Sequence, residues 1–383
     1  MGLFVVAGLL QLGACRSSSP QAKKETTRAT LASALVATAP SAPVATAPMA
    51  PTAAAPKAPP AGGWVRLPPR PSVPLSASIR VFIDAAKQAQ EDPAAERWLR
   101  EALDEGKVTR LASPVPASVQ RAAAALRTWA ASGEAVSIGA RSYGAFELMD
   151  AFNVAFALIV TVERSDAPMA AALLRFSQAL RAPSNTTTAI AAGAGLAADL
   201  AAHVLQQRHQ PVTEPFRTHA PTEQDALNLG RSSVTDSVEL ARLVTLEELQ
   251  RGPLKHPAVL VPRDGTKDFE VARLEELSTA AGVAAAREAI GLPITGDWLA
   301  DEFAHYRTFW DETEHLAATA KTAAEMASVL EARSRLALIH PTSTLVRLVG
   351  DVTLSNHESA LVLHVAERAR TYQALLAAAA AAK

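Results

Sequence analysis

Cysteine is almost absent: Cys15 is the only one in 383 residues. That excludes disulfides within the chain and any metal or redox centre built on paired cysteines. No His-Glu-x-x-His zinc-protease motif and no glycine-rich phosphate loop occurs, and Gly193-x-Gly195 is too little glycine to signal a nucleotide. No self-similar period of roughly 20–50 residues marks a solenoid. The alternation of short strand-like and helix-like runs that builds a parallel sheet is missing as well. The most apolar stretch of the interior, 146–162, is interrupted by Glu147, Asp150 and Asn153, so its uninterrupted part is too short to span a membrane.

What is present begins with residues 3–12, an apolar run that ends in Leu12-Gly13-Ala14-Cys15. An aliphatic residue, two small residues and a cysteine resemble the lipobox of bacterial lipoproteins, in which the cysteine is acylated and becomes the mature N-terminus. The resemblance covers the first 15 residues only. It implies a signal peptide over 1–15, lipidation of Cys15 and a membrane anchor at the cell envelope. Arg16 follows the cysteine where an aspartate would signal retention, which in a Gram-negative cell implies the outer membrane, on its periplasmic side or surface. Met1 to Phe4 carry no lysine or arginine, so the true start is expected upstream. An N-myristoyl signal is excluded by Val6, where serine or threonine is required.

Residues 16–74 are rich in alanine and proline, with Pro40, Pro43, Pro48, Pro51, Pro56, Pro59 and Pro60 spaced along them. Proline at that density removes backbone donors and favours extended polyproline II, so a disordered linker is expected. Seven basic residues oppose only Glu25 there, a net charge of +6. Residues 1–15 carry none and the whole chain is −1, which leaves residues 75–383 at −7. A basic tether suits anionic lipid or cell-wall polymer, and an acidic head argues against nucleic acid.

Residues 75–383 read as helix nearly throughout. Ile79, Phe82, Ile83 and Ala86 share one helical face, and so do Met169, Leu173, Phe176 and Leu180. Asp92-Pro93 is an N-cap followed by proline at the first helical position, and Gly133 closes a helix. Ala189, Gly193 and Ala197, four apart, predict a close helix–helix approach. Thr222 with Asp225 and Thr245 with Glu248 have capping-box spacing. Residues 252–268 read as a loop in which Ala258-Val259-Leu260-Val261 has strand character. The expected fold class is all-α, an irregular multi-helix bundle after the disordered linker. Pro211, Pro215 and Pro221 mark the boundary if the head has two lobes, 75–210 and 222–383.

The densest polar and aromatic stretch is 297–315. Leu299, Phe303, Tyr306, Trp310 and Ala317 fall on one helical face, with Asp301, His305, Glu312 and His315 roughly opposite. Glu302-x-x-His305 and Glu312-x-x-His315 both have the spacing that puts two metal ligands on adjacent turns. His305 and His315 are ten residues apart, about 15 Å along an axis, so one ion cannot take both. Each pair would need ligands from another helix, and Asp199 with His203 is the available acid–histidine pair. Ala140-Arg141-Ser142-Tyr143-Gly144 resembles the nucleophile elbow of α/β-hydrolases, but no parallel sheet is predicted to support it, and Ser142 suits a helix N-cap. Glu147 and Asp150, three apart in an apolar helix, are candidates for shifted carboxyls.

Two functions therefore stand. The first is a lipid-anchored helical envelope protein that binds or scaffolds an envelope protein or cell-wall polymer, with no cofactor. The alternative is a metal-dependent hydrolase or oxidase whose site lies inside the bundle, with Glu302, His305, Glu312 and His315 as ligands.

Overall fold

Periodic apolar faces become helices that pack in the order the sequence supplies them. The computed structural model describes residues 58–60, 63–68, 77–104, 114–134, 144–162, 167–207, 212–245, 279–354 and 356–381. Among them there is no strand, and the all-α expectation holds. Four helices come first: α1 (Ala77–Glu91), α2 (Pro93–Asp104), α3 (Ala117–Ser132) and α4 (Gly144–Leu158), the last followed by a 3₁₀ turn at Ile159–Thr161. Next are α5 (Ala167–Leu180), α6 (Thr187–Ala201) with a π turn at Ala202–Gln207, α7 (Glu214–Thr218) and α8 (Glu223–Leu243). The chain finishes with α9 (Ala280–Ala289), α10 (Trp298–Thr319), α11 (Ala323–Leu338), α12 (Thr344–Thr353) and α13 (Asn356–Ala381).

The first group packs α1 on α3 and α4, and α3 on α5. Phe82, Trp129 and Phe176 meet edge to face at its centre, with ring centroids 5.3 and 6.0 Å apart. The second group sets α8 against α10, α11 and α13. α6 runs between the groups, touching α5 on one side and α8 and α13 on the other. Thr187–Gln206 is long and apolar enough to cross a membrane by composition, but most of it is buried as a core helix. Gly193 is what lets it sit there. A Cβ on Gly193 would lie 2.6 Å from the Ser177 carbonyl oxygen of α5, and the Ser177 hydroxyl donates to the Gly193 carbonyl at 2.8 Å.

Caps follow the local sequence. Asp92 accepts from the Ala94 amide and from the Ser118 hydroxyl of α3, and the capping box of Thr222 with Asp225 is formed. Asp225 also pairs with buried Arg181 at 2.6 Å, while Arg181 donates to the His219 carbonyl. These bonds tie the proline-broken stretch to α5. The described residues belong to one compact unit, Ala55–Lys383, and α8, which follows the stretch, packs on α6, which precedes it. Residues 1–57, with the lipobox and Cys15, lie outside the described residues, as do Ser142, Glu248 and the loop 252–268.

α10 and α11 are divided at Ala320–Thr322, where the Thr322 side chain accepts from the Glu325 amide and starts α11. Within residues 16–74, Trp64 to Leu67 lie against α10, and Leu67 is buried.

Candidate functional site

α10 carries a polar ladder between buried aromatic residues, and each candidate metal ligand on it has a partner. Glu302 is fully buried. It pairs with Arg287 of α9 and accepts from the Ser343 hydroxyl and the Leu345 amide, both at 2.7 Å. Ser343 is the N-cap of α12, so the carboxylate faces the positive end of that helix. The remaining Arg287 donors go to the Pro293 and Thr342 carbonyls, and its guanidinium lies over Trp298. Both Glu302 oxygens are thus engaged.

Glu312 pairs with Arg333 at 3.0 Å. Arg333 also donates to Thr313 Oγ1 and the Phe309 carbonyl and stacks 4.1 Å over the Phe309 ring. His305 stands edge-on to His340 with ring centroids 6.3 Å apart. Burial holds both imidazoles below their ordinary value, His340 at about 4 with further lowering from His305, Arg333 and Arg347. His340 Nδ1 accepts from the Ser343 amide at 3.1 Å. Asp199 pairs with Arg368 of α13 at 2.7 Å, and His203 is buried in the π turn after α6.

Among the described residues no three His, Cys, Asp or Glu side chains gather as an ion would require. Beside the two glutamates the neighbouring elements present arginines, Arg287 and Arg333, and beside His305 stands His340, a pair rather than a set of three. Glu302-His305 and Glu312-His315 each remain a pair on one helix.

His315 has a different role. Its Nδ1 accepts from the Val65 amide at 3.0 Å, and Trp64 stands edge-on to its ring at 5.7 Å. One turn along, the Leu67 amide donates to buried Glu314 at 3.0 Å. Arg66 between them pairs with both Asp311 and Glu314. The segment 64–67 is thus a strap held by backbone and side chain together. In the sequence its signal is an aromatic and two aliphatic residues, Trp64, Val65 and Leu67, amid alanine and proline.

Beside the strap a cleft of about 440 Å³ opens between the C-terminal end of α8 and α10. Its walls are Val238, Ala241 and Val244 on one side and Phe303, Tyr306 and Trp310 on the other, with Arg242, Arg307, Asp311 and Thr245 at the rim. Tyr306 donates to the Ala241 carbonyl at 3.1 Å, fixing the two helices, and its burial pushes the phenol far above its ordinary value. Arg242 reaches Glu314 at 3.4 Å. Arg307 is exposed, and among the described residues its one hydrogen bond is from Nε to the Phe303 carbonyl at 3.4 Å.

A larger hollow, about 550 Å³, lies beside α5 and α8. Its charged groups are already engaged: Arg181 with Asp225, and Arg175 with the carbonyls of Ala130 and Glu134. The α8–α10 cleft combines apolar walls with few polar groups at the rim, which is the pattern of small-ligand sites. The periodicity of α10 placed Phe303, Tyr306 and Trp310 on one face; it did not show that α8 leaves that face partly open. Asp150 is half-buried in α4, with its carboxyl raised to about 6 by desolvation. The side chain of Glu147 lies outside the described residues. In comparisons with known proteins, no protein family, no curated protein and no solved structure matches the chain.

Proposed function

We propose that this chain is a lipid-anchored helical protein of the cell envelope that works by binding, with the α8–α10 cleft as its site. The anchor rests on Leu12-Gly13-Ala14-Cys15 and the reach on the proline-rich basic linker after it. The observation that carries the binding reading is the cleft itself, a concavity walled by Phe303, Tyr306 and Trp310 with cations at its rim. The metal-enzyme alternative has less support, because Glu302 and Glu312 are held by Arg287 and Arg333.

The anchor is tested by fractionating cells that express the full chain and its Cys15→Ser variant, with metabolic incorporation of a labelled fatty acid. The parent chain is expected in the membrane fraction carrying label, and the variant is expected in the soluble fraction without it. An unlabelled parent, or a variant that stays in the membrane, overturns the anchor.

A further inference from the structure

We infer that the α8–α10 cleft takes a small amphipathic anion, an apolar body ending in a carboxylate or a similar acid, with Arg307 as its counter-charge. This inference rests on the binding reading above and adds the ligand class. The apolar body follows from the walls: Val238, Val244, Phe303 and Trp310 leave the inner part of the cleft with no side-chain charge. Dispersion and exclusion of water favour an apolar group there.

The anionic end follows from the charge at the rim. Arg242 and Arg307 are the cations and Asp311 is the acid. Left to themselves, Asp311 and neighbouring Glu314 would balance the two arginines and repel an anion. The strap changes that sum, because Arg66 pairs with both carboxylates. Arg242 is also drawn toward Glu314. Arg307 then remains at the mouth with no ion pair among the described residues, its guanidinium tethered only through Nε to the Phe303 carbonyl. Its other N–H groups suit a carboxylate in the forked geometry that arginine favours.

Laurate is the probe and dodecyltrimethylammonium its cationic counterpart, offered to the full chain carrying Cys15→Ser so that no detergent is needed. Binding is followed by tryptophan emission, with Trp310→Phe assigning the change to the cleft. Laurate is expected to bind with an emission change that Trp310→Phe removes, and the cation is expected to bind at least tenfold more weakly, about the effect of one charge-assisted hydrogen bond. Arg307→Gln should weaken laurate by about tenfold and Arg307→Lys should restore part of the loss. Equal binding of the two probes, or an Arg307→Gln variant that keeps full affinity, overturns the ligand class while leaving the cleft as a binding site. An emission change that survives Trp310→Phe, or none with either probe, overturns the cleft as well. Phosphatidylglycerol vesicles at equal anion concentration separate a free ligand from a membrane surface. They should leave the emission unchanged, and vesicles that reproduce the laurate effect overturn the free-ligand assignment.

Discussion

Replacing Glu302 by leucine removes one half of a fully buried ion pair, and the surroundings set the size of the loss. Breaking such a pair by deleting one partner costs about 3–5 kcal/mol, since the other charge stays buried. Arg287 would keep the Pro293 and Thr342 carbonyls, which pulls the figure toward the lower end. The Ser343 hydroxyl and the Leu345 amide would lose their acceptor, adding about 1 kcal/mol each way such donors are left unsatisfied. Together these give about 5 kcal/mol for Glu302→Leu. Glu302→Gln keeps an acceptor oxygen for the two donors and should lose about 2 kcal/mol. In a domain of this size the leucine variant should melt roughly 7 °C below the parent. The double variant Arg287→Met/Glu302→Leu, which removes both charges, should recover most of that loss. Circular dichroism melts at neutral pH, with and without chelator, provide the assay. A single variant that melts within about 2 °C of the parent would refute the buried-pair argument, and a parent whose melting falls with chelator would return Glu302 to the role of metal ligand.

Three further outcomes are expected. Gly193→Ala should destabilise by about 2 kcal/mol, since the new methyl meets the Ser177 carbonyl at 2.6 Å. Gly195→Ala should be neutral or stabilising, because Phe156 Cζ stands at 3.5 Å and helix propensity favours alanine. Denaturant titration of the two variants distinguishes them, and equal losses would refute the close approach. His340 stays neutral in the fold down to about 4, against an ordinary 6.5, so the unfolded chain takes up protons first on acidification. Its contribution to stability is complete above the ordinary value and is lost as pH falls toward 4. His340→Asn should therefore flatten the melting temperature across that window, and an unchanged acid slope would refute the assignment. Asp150 has the opposite sign, its folded value being raised to about 6. Asp150→Asn should raise the melting temperature at pH 7 and leave it unchanged below the ordinary carboxyl value; a gain that persists in acid would rule out desolvation as the cause.

Local pattern was legible because its physics is local. Ile79, Phe82, Ile83 and Ala86 are all buried on one face of α1, and Met169, Leu173, Phe176 and Leu180 do the same in α5. Thr222 and Asp225 cap α8 as their spacing requires. α10 shows where that reasoning stops. Its periodicity correctly buries Phe303, Tyr306 and Trp310, but Glu302 and Glu314 are buried as well. A carboxylate's partner decides whether it can leave water, and these partners are distant: Arg287 is 15 residues from Glu302, and Arg66 is 248 from Glu314. The Glu-x-x-His spacing was real, yet spacing on one helix carries no information about what the facing elements present. Composition likewise described the linker on average and could not show that Trp64 to Leu67 would find a groove on α10.

The strap also has a mechanical meaning. A pull on the chain upstream of Trp64 is borne first by the Val65 and Leu67 amides and the Arg66 guanidinium, whose acceptors all lie on α10. α1 starts ten residues after Leu67, at Ala77. The 14 residues from Trp64 to Ala77 span up to about 45 Å when fully extended. The strap is thus the first set of described contacts that a pull from upstream would load.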